Sequence, residues 1–406
     1  MSRHPLDPAE AGASIGLAAL ARMAFEGVDQ QPLFARLVER ASAEGGDPVA
    51  LMDLATMLLL NSQIENGLGV QAQALAAQRL YRRPSPGPAE LKVLSLMTAG
   101  DMMANTPLDF LLAGSDIELI SLYVDASGEL PEVLPEHDVA FLAVGESEAN
   151  QPVLRALAPR LAAWPRPLLN ADAPKIASLT RDGACALMAG AEGVVAPAAA
   201  RLDRIEMTRL ASGVLTPGEV IPGAAFPVIA RPIGSHAGAG LLKLDDPAAV
   251  FTYLTEQAAE RFYVSPFIDY SGPDGLYRKH RIVVVEGRPF VCHMAVSPRW
   301  MVHYLNADML ENPANREEEA RFFTGFDDDF AVRHAAAFKA LHQRFGLDYF
   351  GIDSGETKDG QLLVFEVDVA MIVHDMDPPD LFPYKKPQMT KVFDAFQGML
   401  RKAAGR

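Results

Sequence analysis

The stretch Asp348-Tyr-Phe-Gly-Ile-Asp-Ser-Gly-Glu-Thr-Lys-Asp-Gly-Gln-Leu-Leu-Val-Phe-Glu-Val-Asp368 decides the reading of this chain. Two apolar runs flank Asp359-Gly360, a dipeptide that predicts a two-residue type I′ hairpin turn. That register sets Asp353 opposite Glu366, and the two-residue period of a strand puts Asp368 on the same face as Glu366. Like charges facing each other across a ladder repel, so three carboxylates inside an apolar hairpin call for a cation. Oxygen ligands of this kind suit Mg²⁺, which commonly also holds nucleotide phosphates. The competing reading is an acidic, solvent-facing strand that tolerates the repulsion.

Two further hairpins lie upstream. Pro227–Lys243 joins two apolar runs through a loop holding Gly234, Gly238 and Gly240. Glycines let backbone N–H groups approach an anion closely, and Arg231 before the loop supplies a cation for a bound phosphate; a plain structural turn is the alternative. In Tyr277–Arg299 a two-residue turn at Glu286-Gly287 sets His280 opposite His293 and Arg281 opposite Cys292. Arg281 among β-branched neighbours points to a phosphate or carboxylate ligand, against the alternative of a solvated edge strand.

Toward the N-terminus the pattern changes. Lys92–Met97, Leu119–Val124 and Val139–Val144 read as buried strands around a helix that begins near Thr106-Pro107, which is a βαβ pattern with a parallel sheet. The first turn, Thr98-Ala-Gly-Asp-Met, lacks the glycine fingerprint of dinucleotide binding. Before these strands, Arg82-Arg-Pro-Ser-Pro-Gly-Pro-Ala-Glu90 cannot continue a helix and reads as a linker. A 34-residue shift superposes Ile15, Leu17, Leu20, Ala21, Met23 and Phe25 on Val49, Leu51, Leu54, Ala55, Met57 and Leu59, the tetratricopeptide period. Each copy is followed by a second helical stretch, Pro32–Ala43 and Val70–Tyr81; a helical bundle without repeat ancestry is the alternative. Two repeats are too few to stand alone, so their apolar ends, Leu58–Leu60 included, should pack on the βαβ part or on a second protomer as a homodimer.

Of 406 residues, 49% are apolar and 22% charged, which describes a globular chain with full cores. The net charge of −16 argues against nucleic acid as the main partner. The two cysteines make no disulfide framework, and no signal-like leader or long apolar run appears, so the expectation is a cytoplasmic protein with no membrane partner.

In order and content these parts resemble the ATP-grasp superfamily, particularly the branch of glutathione synthetase, D-alanine ligase and the ribosomal-protein glutamate ligase, over roughly residues 92–400. The fold class implied is α/β and α+β: an ATP-grasp fold preceded by a βαβ domain and an N-terminal α-helical repeat region. The corresponding parts are residues 1–88, 89–169, 170–225 (first subdomain) and 226–406 (second subdomain, with phosphate loop and metal site). The resemblance implies that Arg181, Arg231, Ser235, Gly238 and Gly240 hold nucleotide. It likewise implies that Ser265 and Phe267, in the segment Tyr263–Asp269, sit where the adenine is read, and that Asp353, Glu366 and Asp368 hold Mg²⁺. The chain departs from the family where lysine is usual, having Gly183 and Arg231, and where asparagine is usual, having Asp368.

The activity implied is an ATP-dependent carboxylate–amine ligation through an acyl phosphate, on small-molecule or peptide substrates. Arg281, Arg299 and His236 are the expected catalytic groups, and His293, His303, Tyr304 and Asn306 a polar cluster for substrate selection. An ATP-grasp kinase acting on a hydroxyl and a repeat-containing binding protein with a degenerate nucleotide site are the alternatives.

Overall fold

The computed structural model describes residues 13–235 and 238–406. Backbone contacts divide the chain into two units, the first running to Ala177 with Leu347–Phe350 and Asp368–Arg406, the second comprising Ser178–Gly346 and Gly351–Val367.

The first unit opens with four helices, α1 (Leu17–Phe25), α2 (Gln31–Ser42), α3 (Pro48–Leu60) and α4 (Ile64–Ala77). Asp47 starts α3 by accepting the Val49 and Ala50 N–H groups, with Pro48 already set for the first turn. Leu20, Leu37, Ala50, Leu54 and Met57 form one buried cluster around α3. Of the expected apolar end, Leu59 is buried, and Leu60 packs with Phe110 and Met376 of the same unit.

The helix expected to reach Tyr81 stops at Ala77, because Gln78 is extended and Leu80–Arg83 forms strand β1 instead. Arg82 and Arg83, read from the sequence as linker, thus belong to a sheet: β1 pairs antiparallel with β3 (Ile117–Tyr123), Arg82 opposite Ile120. Arg82 also bonds Glu118 at 2.7 Å, a cross-strand pair that propensity along one segment does not reveal.

With β2 (Leu91–Met97), β4 (Val139–Leu142) and β5 (Leu168–Leu169) the sheet order is β1-β3-β2-β4-β5. The β2–β3, β2–β4 and β4–β5 pairs are parallel. This is the βαβ arrangement expected, and strands such as β4, apolar on both faces, are covered on both. The crossover helix between β2 and β3 is the short α5 (Leu108–Leu111).

The second unit contains a four-stranded sheet, β7 (Ala200–Asp203), β10 (Arg261–Pro266), β8 (Val228–Pro232) and β9 (Leu242–Leu244), in the order β7-β10-β8-β9. Its core gathers Leu202, Met207, Leu210, Val228, Ala230, Tyr253, Phe262 and Val264. A five-stranded sheet has the order β12-β11-β13-β14-β6, built from β6 (Val194–Val195), β11 (Tyr277–Val285), β12 (Arg288–Ser297), β13 (Tyr349–Glu356) and β14 (Leu362–Asp368). The chain is therefore a mixed α/β protein. Among the described residues no helix is long and apolar enough to cross a membrane.

Candidate functional site

Strand β11 carries the site, because alternate residues of a strand point to opposite faces. Lys279 and Arg281 share one face and both reach Asp353 on β13. Lys279 Nζ lies 2.7 Å from Asp353 Oδ2; Arg281 Nε donates to Oδ1 at 2.9 Å and Nη2 to Oδ2 at 3.0 Å. Asp353 is 1% exposed. Burial alone would raise its pKa, but the charges and hydrogen bonds of Arg281 and Lys279 prevail and hold the carboxyl well below the usual carboxylate range. Arg281 is in turn held cationic against the cost of its own burial, chiefly by Asp353.

A second ion pair stands beside this triad. Arg181, in helix Arg181–Met188, meets Glu366 Oε1 at 2.7 Å. Desolvation works to raise the Glu366 pKa and the Asp353 charge adds to it; Arg181, Lys279 and Arg231 together outweigh both and lower it. Arg231 is 8% exposed, and burial and the Arg181 charge bring its pKa down to about 10. Its Nε donates to Ser235 Oγ at 3.2 Å and its Nη2 to the Ser235 carbonyl, so it anchors the start of the glycine loop. In that loop Gly238 and Gly240 have φ of 76° and 66°. A Cβ at Gly240 would stand 2.7 Å from Pro232 Cδ, so glycine is needed there for space as well as conformation.

The register of the second hairpin and the turn of the third both need correction. The Tyr277–Ser297 hairpin turns at Glu286-Gly287 as expected, with φ of 47° and 81°, but a bulge between Arg281 and Ile282 shifts the pairing. Arg281 faces His293 and His280 faces Met294, with Cys292 as the extra residue. A bulge bends and twists its strand and re-aims the side chain beside it, here Arg281. At the third hairpin Gly360 N–H bonds the Thr357 carbonyl and Thr357 N–H bonds the Gln361 carbonyl. Gly360 has φ 78°, whereas Asp359 is not left-handed. The loop is thus three residues ending in a left-handed glycine, not the two-residue type I′ turn, which needs positive φ at both central positions.

The inference that the carboxylates require a metal also changes. The cations are side chains: Lys279 and Arg281 on Asp353, Arg181 on Glu366. Among the described residues no group of three or more carboxylate, histidine or cysteine side chains is arranged to hold a metal ion. Asp368 Oδ1 accepts the Ala370 N–H at 2.8 Å. As arranged, the set does not fit Mg²⁺, since both Asp353 oxygens already accept charged donors.

Other expected residues fall as follows. Ser265 is buried and donates to the Ala198 carbonyl at 2.9 Å. Phe267 stands edge-on to Trp300 at 5.5 Å, with Lys243 Nζ 4.8 Å from its ring centre. Arg299 is exposed and makes no ion pair among the described residues; its backbone N–H bonds Ser297 Oγ at 3.1 Å. His236 lies outside the described residues. Of the expected polar cluster, the His293 and Tyr304 rings are 4.7 Å apart, and separately the His303 backbone N–H bonds Asn306 Oδ1. The His303 pKa is lowered by burial, then by Lys279 and Arg281, with Asp353 opposing.

Sequence reasoning missed Lys279, whose signal was its place two residues before Arg281 on one strand face. It also missed Glu319, fully buried on helix Pro313–Gly325, which accepts the Met294 N–H at 2.9 Å and the Tyr304 hydroxyl at 3.4 Å. Conversely, two basic residues of β11 turn away from the site. Arg278 pairs with Asp274 and Glu318, and His280 stacks on Phe322 with its pKa pushed down to about 4 by burial.

No family model matches this sequence, and no curated protein does. Among solved structures the chain is similar to the VanG D-Ala:D-Ser ligase of Enterococcus faecalis, at 11% identity and a TM-score of 0.45 over 77% of this chain and 100% of that one. It is similar as well to the D-alanine–D-alanine ligase of Bacillus anthracis complexed with ATP, at 14% identity and 0.44 over 78% and 99%. A RimK domain ATP-grasp protein of Sphaerobacter thermophilus aligns at 15% identity and 0.42 over 77% and 100%.

Proposed function

We propose that this chain is an ATP-grasp enzyme that joins a carboxylate to an amine at the expense of ATP. The observation that carries the reading is the array of charges beside β11, in which the buried Asp353 and Arg231 stand with the half-buried Lys279, Arg281, Arg181 and Glu366. Four cations against two carboxylates leave a surplus of positive charge beside a glycine loop, which suits the phosphates of a nucleotide.

In the reaction a substrate carboxylate oxygen attacks the γ-phosphorus of ATP and ADP leaves. The amine then attacks the acyl carbon, phosphate departs with its electron pair, and the amine nitrogen loses a proton, giving the amide. Arg231 and the loop amides bind phosphate in the ground state. Lys279 and Arg281 neutralise charge on the transferring group, so catalysis comes from positioning and electrostatics. No step is assigned to a metal ion, because the donor set as arranged does not offer one a site. His293, His303, Tyr304 and Asn306 face substrate selection.

The test is an ATP-dependent phosphate-release screen over amino acids, small carboxylic acids and peptides, with product analysis. Amide, ADP and phosphate support the ligase; a stable phosphoester indicates the kinase alternative. Absence of ATP binding by calorimetry indicates a binding protein with a degenerate site.

A further inference from the structure

Residues 369–376 leave the carboxylate strand without regular structure. Even so, Val369 and Ala370 are 0% exposed and Met376 8%. A buried irregular segment has no ladder to set its course, so the side chains packed around it do. These come from loops beside the parallel sheet and from helices α1 and α5, all of the first unit. Thr106 Oγ1 donates to the Val369 carbonyl at 2.9 Å. A Cβ at Gly145 would stand 2.8 Å from the Ala370 Cβ, so the backbone passes close beside it. The His374 ring lies 5.3 Å from Phe25 on α1 and 6.1 Å from Phe110 on α5, and its Nδ1 accepts the Met376 N–H at 3.2 Å. Met376 clusters with Ala21 and Phe110, and Arg22 of α1 pairs with Asp375 at 2.6 Å.

Helix α1 is itself tied down from two sides. Its Leu17 and Ala18 N–H groups bond Asp109 Oδ2, which Arg83 supports through an ion pair to Oδ1 at 2.6 Å. The Ile15 and Gly16 N–H groups bond Asp53. Contacts from α1 therefore fix residues 374–376, while Thr106 and Gly145 meet Val369 and Ala370, and the Ala370 N–H holds the Asp368 carboxylate at 2.8 Å.

We propose that Arg22 is a positioning residue: by pairing with Asp375 it holds the segment after Asp368, and so sets where that carboxylate and the end of β14 stand. The kinetic half of the inference rests on the ligase reading; the structural half does not. The Arg22 and Asp375 side chains are 43% and 26% exposed. A pair at such exposure adds little to stability, so its removal leaves the fold standing.

The test compares the full chain with Arg22→Met, Arg22→Lys, Arg22→Asp, and Arg22→Asp combined with Asp375→Arg. Hydrogen exchange over residues 366–376, kcat, KM for ATP and melting temperature are measured on each. Arg22→Met and Arg22→Asp are expected to speed exchange across 369–376 while the β2 amides stay protected. They should lower kcat about 3–10-fold with KM for ATP unchanged, the effect expected of a misplaced group. Arg22→Lys and the double reversal are expected to restore both. Unchanged exchange in Arg22→Asp overturns the proposal whether or not the enzyme turns over. Faster exchange with unchanged kcat overturns its catalytic half. A wild-type chain that binds ATP but makes no amide counts against the ligase reading alone, and exchange then decides the positioning claim.

Discussion

Replacing Asp353 by Asn gives the sharpest check on the site. From the sequence, loss of one of two facing carboxylates relieves repulsion and leaves the protein as stable or more so. From the structure the opposite follows. Asp353 is 1% exposed and is the common partner of Lys279 and Arg281, whose side chains are themselves only 19% and 20% exposed. The amide keeps the shape but not the charge, and two enclosed cations lose their counter-ion. Breaking a buried pair from one side costs about 3–5 kcal/mol. At roughly 2–4 °C per kcal/mol for a domain of some 150–250 residues, the melting temperature should fall on the order of 10 °C. Because the Asp353 pKa is lowered, its stabilisation is present above the unfolded carboxylate pKa and is lost only as pH falls through the depressed folded value. The deficit of Asp353→Asn should therefore stay constant between about pH 5 and 8, where the lysine and arginine remain charged. Calorimetric or urea unfolding of both proteins across that range measures it. An Asn variant as stable as wild type would refute the neutralised-triad account and return the site to a repulsive cluster awaiting a metal.

Arg281→Met should cut turnover by orders of magnitude, whereas Arg231→Met, which frees Ser235 and the glycine loop, should chiefly weaken ATP binding; equal, small effects on kcat and Kd would refute the placement. A chain beginning at Glu90 loses α1–α4 and β1, baring Phe110, Met376 and the edge of β3. It should aggregate where the full chain stays soluble, as sedimentation would record. Asp53 has its pKa raised to about 6, first by burial, with the Ile15 and Gly16 N–H groups opposing. A raised carboxyl contributes stability fully below its unfolded pKa and loses it as pH rises through about 6, an effect of about 3 kcal/mol. Because the Ile15 and Gly16 N–H groups favour the charged form, the sign is read on unfolding: the stability of Asp53→Asn relative to wild type should rise between pH 5 and pH 7.5, as urea unfolding of both would record, and a constant difference would count against it.

What the sequence determined by itself is most of the core strands and the charged residues set among them. Short continuous apolar runs mark β2, β3 and β4, and apolar strands with a connecting helix mean a parallel sheet, because local patterning reports which faces are buried. Glycines 234, 238 and 240 mark a tight loop, and Arg281 among β-branched residues stands out because a cation is costly there without a partner. Tertiary structure alone decided how the charges are met. The Arg281 bulge and the left-handed Gly360 each move a pairing by one residue, and neither leaves a trace in apolar spacing. The partners of Asp353 and Glu366 come from β11 and from the helix beginning at Arg181, 72 and 185 residues away along the chain. Charge balance in a buried site depends on what is near in space, and separation along the chain carries no information about that; hence, of three carboxylates that look like a metal site in one hairpin, Asp353 and Glu366 are met once folded by the protein's own cations, while Asp368 accepts a backbone N–H.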